Sequence, residues 1–280
     1  MKAFNVLRQL ALALVLATGA AAVIAQAQQS AQPEPKFEPQ VGQAGKDVIW
    51  VPTSQALIDA MMKIGKVTAK DVLFDLGSGD GRTVITAAKL GARATGVEYN
   101  PKMVELSRQN AEKAGVSSRA IFTNADLFET DLSQANVITM FLLSSINVNL
   151  RPKILDLKPG TRIVSNTFTM DNWKEDDSVS VSAQEGCSSY CVAYFWIVPA
   201  KVSGNWRLGQ SDLALKQEFQ MVSGTLTTNG KEVRVSGRLR GEQLTFAAGG
   251  AQYAAIVNGN TLTGTRKAGT SSAAFSAARK

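Results

Sequence analysis

The sequence predicts two folded regions: an α/β domain organised on a mostly parallel sheet, then a small antiparallel β-barrel or meander. Three observations carry this expectation. Short apolar runs alternate with segments of helical period from about residue 55 to residue 165. The first of those runs opens directly into a glycine-rich turn, V-L-F-D-L-G-S-G-D-G-R at Val72–Arg82. Beyond Lys201 the helical period vanishes, and short alternating runs recur between glycines. At 280 residues the chain has room for one large or two modest domains, and 45% hydrophobic content is ample for their cores.

Composition narrows the chemistry. There is no histidine, which removes Ser-His-Asp and Cys-His catalysis, imidazole proton shuttles and histidine-based metal sites together. The formal net charge is +7, but lysine and arginine are scattered rather than clustered. No nucleic-acid partner is expected from such a distribution, although a cationic surface attracts acidic partners at long range.

Residues 1–27 read as a secretory signal peptide. Lys2 and Arg8 make a positive start, Leu10 to Ile24 an apolar run too short for a comfortable membrane span, and Ala25-Gln26-Ala27 a cleavage site. Cleavage would leave Gln28 as the mature N-terminus, no stable membrane span, and a periplasmic or secreted protein. The alternative is an uncleaved anchor. Residues 28–45, rich in Gln and Pro, are expected to form a disordered leader, with an α/β domain over 46–200 and a β domain over 201–280.

Ile49 to Ser54 reads as an extended entry. Ser54 caps a helix whose apolar face carries Leu57, Ile58, Met61, Met62 and Ile64. Val72, Leu73 and Phe74 form a short apolar run of the kind that makes a buried parallel strand, closed by Asp75. Gly77, Gly79 and Gly81 then alternate with Ser78 and Asp80, and helical spacing follows. Strand, glycine turn and helix N-terminus together make the place where nucleotide-like ligands bind in open α/β sheets. The turn is not G-x-G-x-x-G, and no G-K-[ST] follows, which excludes a P-loop. Asp75 and Asp80 are poor neighbours for pyrophosphate; they suit a ligand that is cationic or rich in hydroxyl and amine donors.

Arg93 to Val97 is the next strand, with Glu98 at its end. Glu98 stands near the spacing at which a carboxylate takes both hydroxyls of a ribose, and Tyr99 could lie against an adenine ring. Pro101 opens a helix that Gly115 ends. Ala120 to Phe122 is a third strand, followed by Asp126 and Leu127, and Ala135 to Leu143 is the most apolar strand. Leu150 to Leu157 is a helix and Thr161 to Ser165 a fifth strand. Ser178–Gln184 and Val192–Val198 alternate as an antiparallel hairpin.

The D-L-G-S-G-D-G-R stretch, with V-P-T-S-x-x-L-x-x-A-M before it at 51–61, resembles class I S-adenosylmethionine-dependent methyltransferases. It is similar in particular to the group containing the ATP-synthase c-subunit lysine methyltransferases. The resemblance implies a Rossmann-like, seven-stranded sheet with its last strand antiparallel, S-adenosylmethionine as cofactor, and a protein lysine as methyl acceptor. It further implies that the glycine turn lines the methionine end of the cofactor, that acidic residues hold its amine, and that Asp126 accepts from the adenine 6-amino group. The segment before the motif would fold over the cofactor. The cofactor-binding set is therefore Asp75, Gly77, Ser78, Gly79, Asp80, Glu98, Tyr99, Asp126 and Leu127. No catalytic residue is assigned and no metal is expected. The acceptor motif of amino-methylating relatives, Asp/Asn-Pro-Pro-aromatic, is replaced here by F-L-L-S-S-I-N at Phe141–Asn147, where Asn147 either opens a helix or touches substrate.

Cys187 and Cys191 flank the hairpin turn, as a disulfide or as two free thiols. Beyond Lys201, runs at 213–219, 222–227, 232–239, 243–247, 253–257, 262–265 and 273–278 make the antiparallel β domain, a binding or stabilising module with no catalytic constellation. The function expected is methyl transfer. The alternative is an exported, non-enzymatic binding or envelope-structural protein that keeps the fold, since the methyl donor is made in the cytoplasm.

Overall fold

The computed structural model describes residues 37–280; the expected signal peptide, its Gln28 boundary and half of the expected leader lie outside that range. The first helix, α1 (Gln55–Ile64), begins where the Ser54 hydroxyl accepts from the Leu57 N–H, and buries Leu57, Ile58, Met61 and Met62. Strands β1 (Val72–Leu76), β2 (Arg93–Glu98), β3 (Ala120–Asn124), β4 (Val137–Met140), β5 (Arg162–Asn166), β6 (Asp177–Ser180) and β7 (Val192–Ile197) form one sheet. Its order is β3-β2-β1-β4-β5-β7-β6. The first five strands are parallel and β7 runs antiparallel between β5 and β6.

Helices α2 (Arg82–Lys89), α3 (Pro101–Lys113) and α4 (Ser144–Leu155) complete the α/β layers. Leu73 packs with α1 and α2 on one side of the sheet, while Leu76, Ile138 and Met140 face α4, Trp173 and Trp196 on the other. The order of strands reverses between β1 and β4. A crevice at the carboxyl ends of these two strands is the binding position such a sheet provides.

Three expectations shift. The segment from Gln40 to Gly45, expected in the leader, is folded. Its backbone pairs with Gln43, Val48 and Trp50, and Ala44 bridges Ile49, so a polar composition is held by main-chain hydrogen bonds. Helix α4 starts at Ser144, well before Leu150, and takes Asn147 into its buried face. Strand β6 ends at Ser180, because the chain then turns into a loop closed by a Cys187–Cys191 disulfide.

After β7 the chain forms β8 (Gly204–Leu208), β9 (Ser211–Glu218), β10 (Met221–Thr228) and β11 (Lys231–Arg240). It continues through β12 (Gln243–Ala248), β13 (Ala251–Asn258), β14 (Thr261–Ala268) and β15 (Ser271–Arg279). These eight close into an antiparallel barrel through the pairing of β15 with β8. Strict alternation puts Ala251, Tyr253, Ala255 and Val257 of β13 inside, where Leu213, Val235, Leu244 and Phe246 join them. Strand β8 carries no alternating run that would announce it. Its single buried anchor is Trp206, whose indole N–H donates to the Val202 carbonyl. Among the described residues, no helix is long and apolar enough to cross a membrane.

Candidate active site

The glycine turn is held from beneath and from one side. The N–H groups of Gly77 and Ser78 both donate to the Val97 carbonyl of β2. On α3, the Ser107 hydroxyl donates to the Gly79 carbonyl at 2.8 Å and the Asn110 amide to the Asp80 carbonyl at 3.0 Å. Gly79 has φ 55°, a left-handed conformation that a side chain rarely adopts, and a Cβ there would lie 2.6 Å from the Trp50 indole nitrogen. The backbone is thus kept bare at the point where the entry segment crosses it.

All the residues expected to bind cofactor line one cavity of about 420 Å³ at the carboxyl ends of β1, β2 and β4. Glu98 closes β2. Its two carboxylate oxygens accept from the Gly79 N–H at 3.0 Å and the Asn100 N–H at 2.9 Å. A carboxylate has about four lone-pair directions, so two remain for a ligand, with the group already oriented. Asp75, the penultimate residue of β1, is buried and accepts from the Thr139 hydroxyl of β4 at 2.6 Å. Burial, with smaller contributions from Glu98 and Asp80, pushes its pKa up to about 7 against the opposing hydrogen bond from Thr139.

Asp80 lies on the wall, but its carboxylate is taken up by Arg82, whose guanidinium approaches to 2.6 Å and also donates to the Thr53 carbonyl. Its part is to tie the entry segment to the turn rather than to present a free charge. Asp126 accepts from the Lys46 ammonium at 2.5 Å and from the Phe128 N–H, and these hold its carboxyl below the usual carboxylate range. Lys46 also stands 4.8 Å from the centre of the exposed Tyr99 ring. Tyr99 and Asp126, expected to receive an adenine, are therefore both in contact with one cation of the entry segment.

The segment 43–53 covers the cavity, including Gln43 to Gly45, which composition alone assigns to the leader. Thr139 was also missed, although a hydroxyl in an otherwise apolar central strand was a legible signal. Phe168 and Tyr190 could not be found, because sequence distance hides their approach to Phe141. Asn147 does not reach the cavity. It is buried and donates to the carbonyls of Phe168 and Thr169, fixing that loop. Among the described residues, none of the barrel lines the cavity.

The chain matches the family described as the ANTKMT methyltransferase domain over residues 75–177. A protein-lysine N-methyltransferase of Saccharolobus islandicus is 40% identical over 154 residues, covering 54% of this chain and 94% of that protein. The ATP synthase c-subunit lysine N-methyltransferase of Mus musculus is 39% identical over 105 residues, 37% of this chain and 42% of its own length. A solved structure, described as an RNA methyltransferase from Salinibacter ruber in complex with S-adenosyl-L-homocysteine, is 43% identical. Its TM-score is 0.50, with 54% of this chain and 96% of that one covered. Since the match to the Saccharolobus protein runs nearly its whole length, and the glycine turn, Asp75 and Glu98 stand together at the switch point of the sheet, the chain belongs to the S-adenosylmethionine-dependent methyltransferase family that includes that protein.

Proposed function

We propose that this chain methylates the side-chain amine of a protein lysine. The observation that carries the choice of acceptor is the 40% identity to a protein-lysine N-methyltransferase over nearly that protein's whole length. Among the described residues, the charged groups lining the cavity are Asp47, Asp75, Asp80, Glu98 and Asp126 with Lys46 and Arg82, of which Lys46 pairs with Asp126 and Arg82 with Asp80. Such a wall suits a cofactor that is cationic and bears hydroxyls.

The residues present fit S-adenosylmethionine, which when bound supplies an electrophilic methyl group on a positively charged sulfur. Glu98 keeps two acceptor positions for a ribose diol, the bare turn at Gly77 and Gly79 admits close approach, and Asp75 offers a buried carboxyl to an amine. Tyr99 and Asp126 would hold the base, and Leu127 would pack beside it. An attacking amine must be neutral, whereas lysine is charged near pH 7. Leu142 and Leu143, which line the cavity just after β4, desolvate an entering amine and so lower its pKa. The chemistry then rests on positioning and desolvation, and the lack of histidine is no obstacle.

The test is a mass-spectrometric search for transferred methyl, using a methyl-labelled donor, the purified chain, an extract of envelope proteins and total cellular RNA. Label on lysine that disappears with Glu98→Ala supports the assignment; label confined to RNA overturns it. We further propose export, on the strength of Lys2, Arg8 and the Ala25-Gln26-Ala27 site. The Cys187–Cys191 disulfide supports that reading, because such bonds persist in oxidising compartments. N-terminal sequencing of protein from the envelope fraction should begin at Gln28, and a full-length cytoplasmic chain would overturn export.

A further inference from the structure

We infer that Phe141, Phe168 and Tyr190 form the wall that grips the acceptor's lysine side chain, and that the disulfide-closed loop sets Tyr190 in that wall; this rests on the lysine reading above. The three rings come from three separate segments: the residue after β4, the turn after β5, and the loop between β6 and β7. Their centroids lie 5.2 Å (Phe141–Tyr190), 6.0 Å (Phe141–Phe168) and 6.4 Å (Phe168–Tyr190) apart, and all three line the cavity. A cluster serving only as core would be buried, yet Tyr190 is 43% exposed.

Two of the rings are held in place by distinct devices. Ser165 and Asn147 both donate to the Phe168 carbonyl, and the Thr167 N–H donates to the Val192 carbonyl. Tyr190 has φ 55°, an unfavourable backbone for an aromatic residue, and sits one residue before Cys191 in the loop that the Cys187–Cys191 bond closes. Strained, exposed and cross-linked, that ring is positioned for something other than packing.

The chemistry such a wall recognises is an alkyl chain ending in a cation. Ring faces cover the methylenes of a lysine, and their negative quadrupoles attract the ammonium. Quaternary ammonium is recognised by aromatic faces in the same way, so the wall retains a lysine that already carries methyl groups.

The experiment titrates the full-length chain, saturated with S-adenosylhomocysteine, with a short synthetic peptide amide holding one lysine, its trimethyl-lysine form and its norleucine form. The wild type should bind both cationic peptides and bind the norleucine peptide far more weakly. Tyr190→Ala should weaken both cationic peptides about tenfold, close to 1.4 kcal/mol, and raise the peptide KM with kcat largely kept. Affinity for S-adenosylhomocysteine should hold, and Tyr190→Phe should restore peptide binding. The double variant Cys187→Ser, Cys191→Ser should follow Tyr190→Ala while keeping its circular dichroism. If the wild type methylates the peptide but Tyr190→Ala binds it unchanged, or norleucine binds as well as lysine, the wall is wrong and the lysine reading stands. Full peptide affinity in the double cysteine variant overturns the loop's part. If the wild type leaves every lysine untouched and methylates an oligoribonucleotide, the lysine reading falls and the wall falls with it.

Discussion

Asp75 and Glu98 are both carboxylates at strand ends in one cavity, and their surroundings give them different work. Asp75 has a folded pKa of about 7 against an ordinary value of 3.8, because burial penalises its charge. A group raised in this way contributes its full stability below the unfolded pKa, and that contribution is lost as pH rises toward 7. The shift corresponds to on the order of 4 kcal/mol between the two protonation states. Asp75→Asn, nearly isosteric with the protonated form, should therefore melt close to the wild type near pH 4 and above it at pH 8, while losing cofactor affinity. Melting below the wild type at pH 8 would refute the burial penalty. Glu98 instead accepts two backbone N–H bonds and offers its remaining lone pairs. Glu98→Ala should weaken S-adenosylmethionine and S-adenosylhomocysteine together, by roughly 1.5–3 kcal/mol per lost charge-assisted bond. Calorimetric titration of both ligands checks this; a selective loss of one would place Glu98 away from their common ribose.

The entry segment before α1 is the element on which access turns. Trp50 crosses Gly79, Arg82 donates to the Thr53 carbonyl, and Lys46 reaches Asp126 and Tyr99. In the proposed reading, the adenine and the Lys46 side chain share the same two partners. Lys46→Ala should then tighten S-adenosylhomocysteine binding severalfold at low ionic strength, and added salt should shrink the difference by screening an exposed pair. Weaker binding in Lys46→Ala would mean that Lys46 closes over the ligand instead of standing in its place.

Across the whole molecule, the barrel is docked on the segment between β5 and β6 that carries Trp173. Phe219, between β9 and β10, stacks on buried Trp173 with centroids 5.8 Å apart and planes within 12°. Around it Gln220 donates to the Lys174 carbonyl, Arg238 pairs with Asp176, and the Ala200 N–H donates to the Gly241 carbonyl. These contacts join apolar area to buried polar groups, so the two regions should unfold together. Phe219→Ala should cost about 1–3 kcal/mol, since the ring is only partly buried, and should split one calorimetric transition into two. A single transition at an unchanged midpoint would show that this stack couples nothing.

The glycine turn, the strand-end carboxylates and the change of pattern beyond Lys201 were legible in the sequence, because each is a local matter: a backbone that needs glycine, a period of two or of 3.6. Alternation likewise announced seven of the barrel strands but not β8, which buries only Trp206 and has no period to show. Tertiary structure alone decided what each carboxylate does. Asp80 and Asp126 look like Asp75 in the sequence, but Arg82 takes one, Lys46 the other, and burial with Thr139 takes the third. It also decided that Gln43 to Lys46 covers the cavity and that Phe141, Phe168 and Tyr190 meet. Charge pairing and ring contact depend on distance in space, and chain separations of 80 residues for Lys46–Asp126 carry no trace of it in the order of residues.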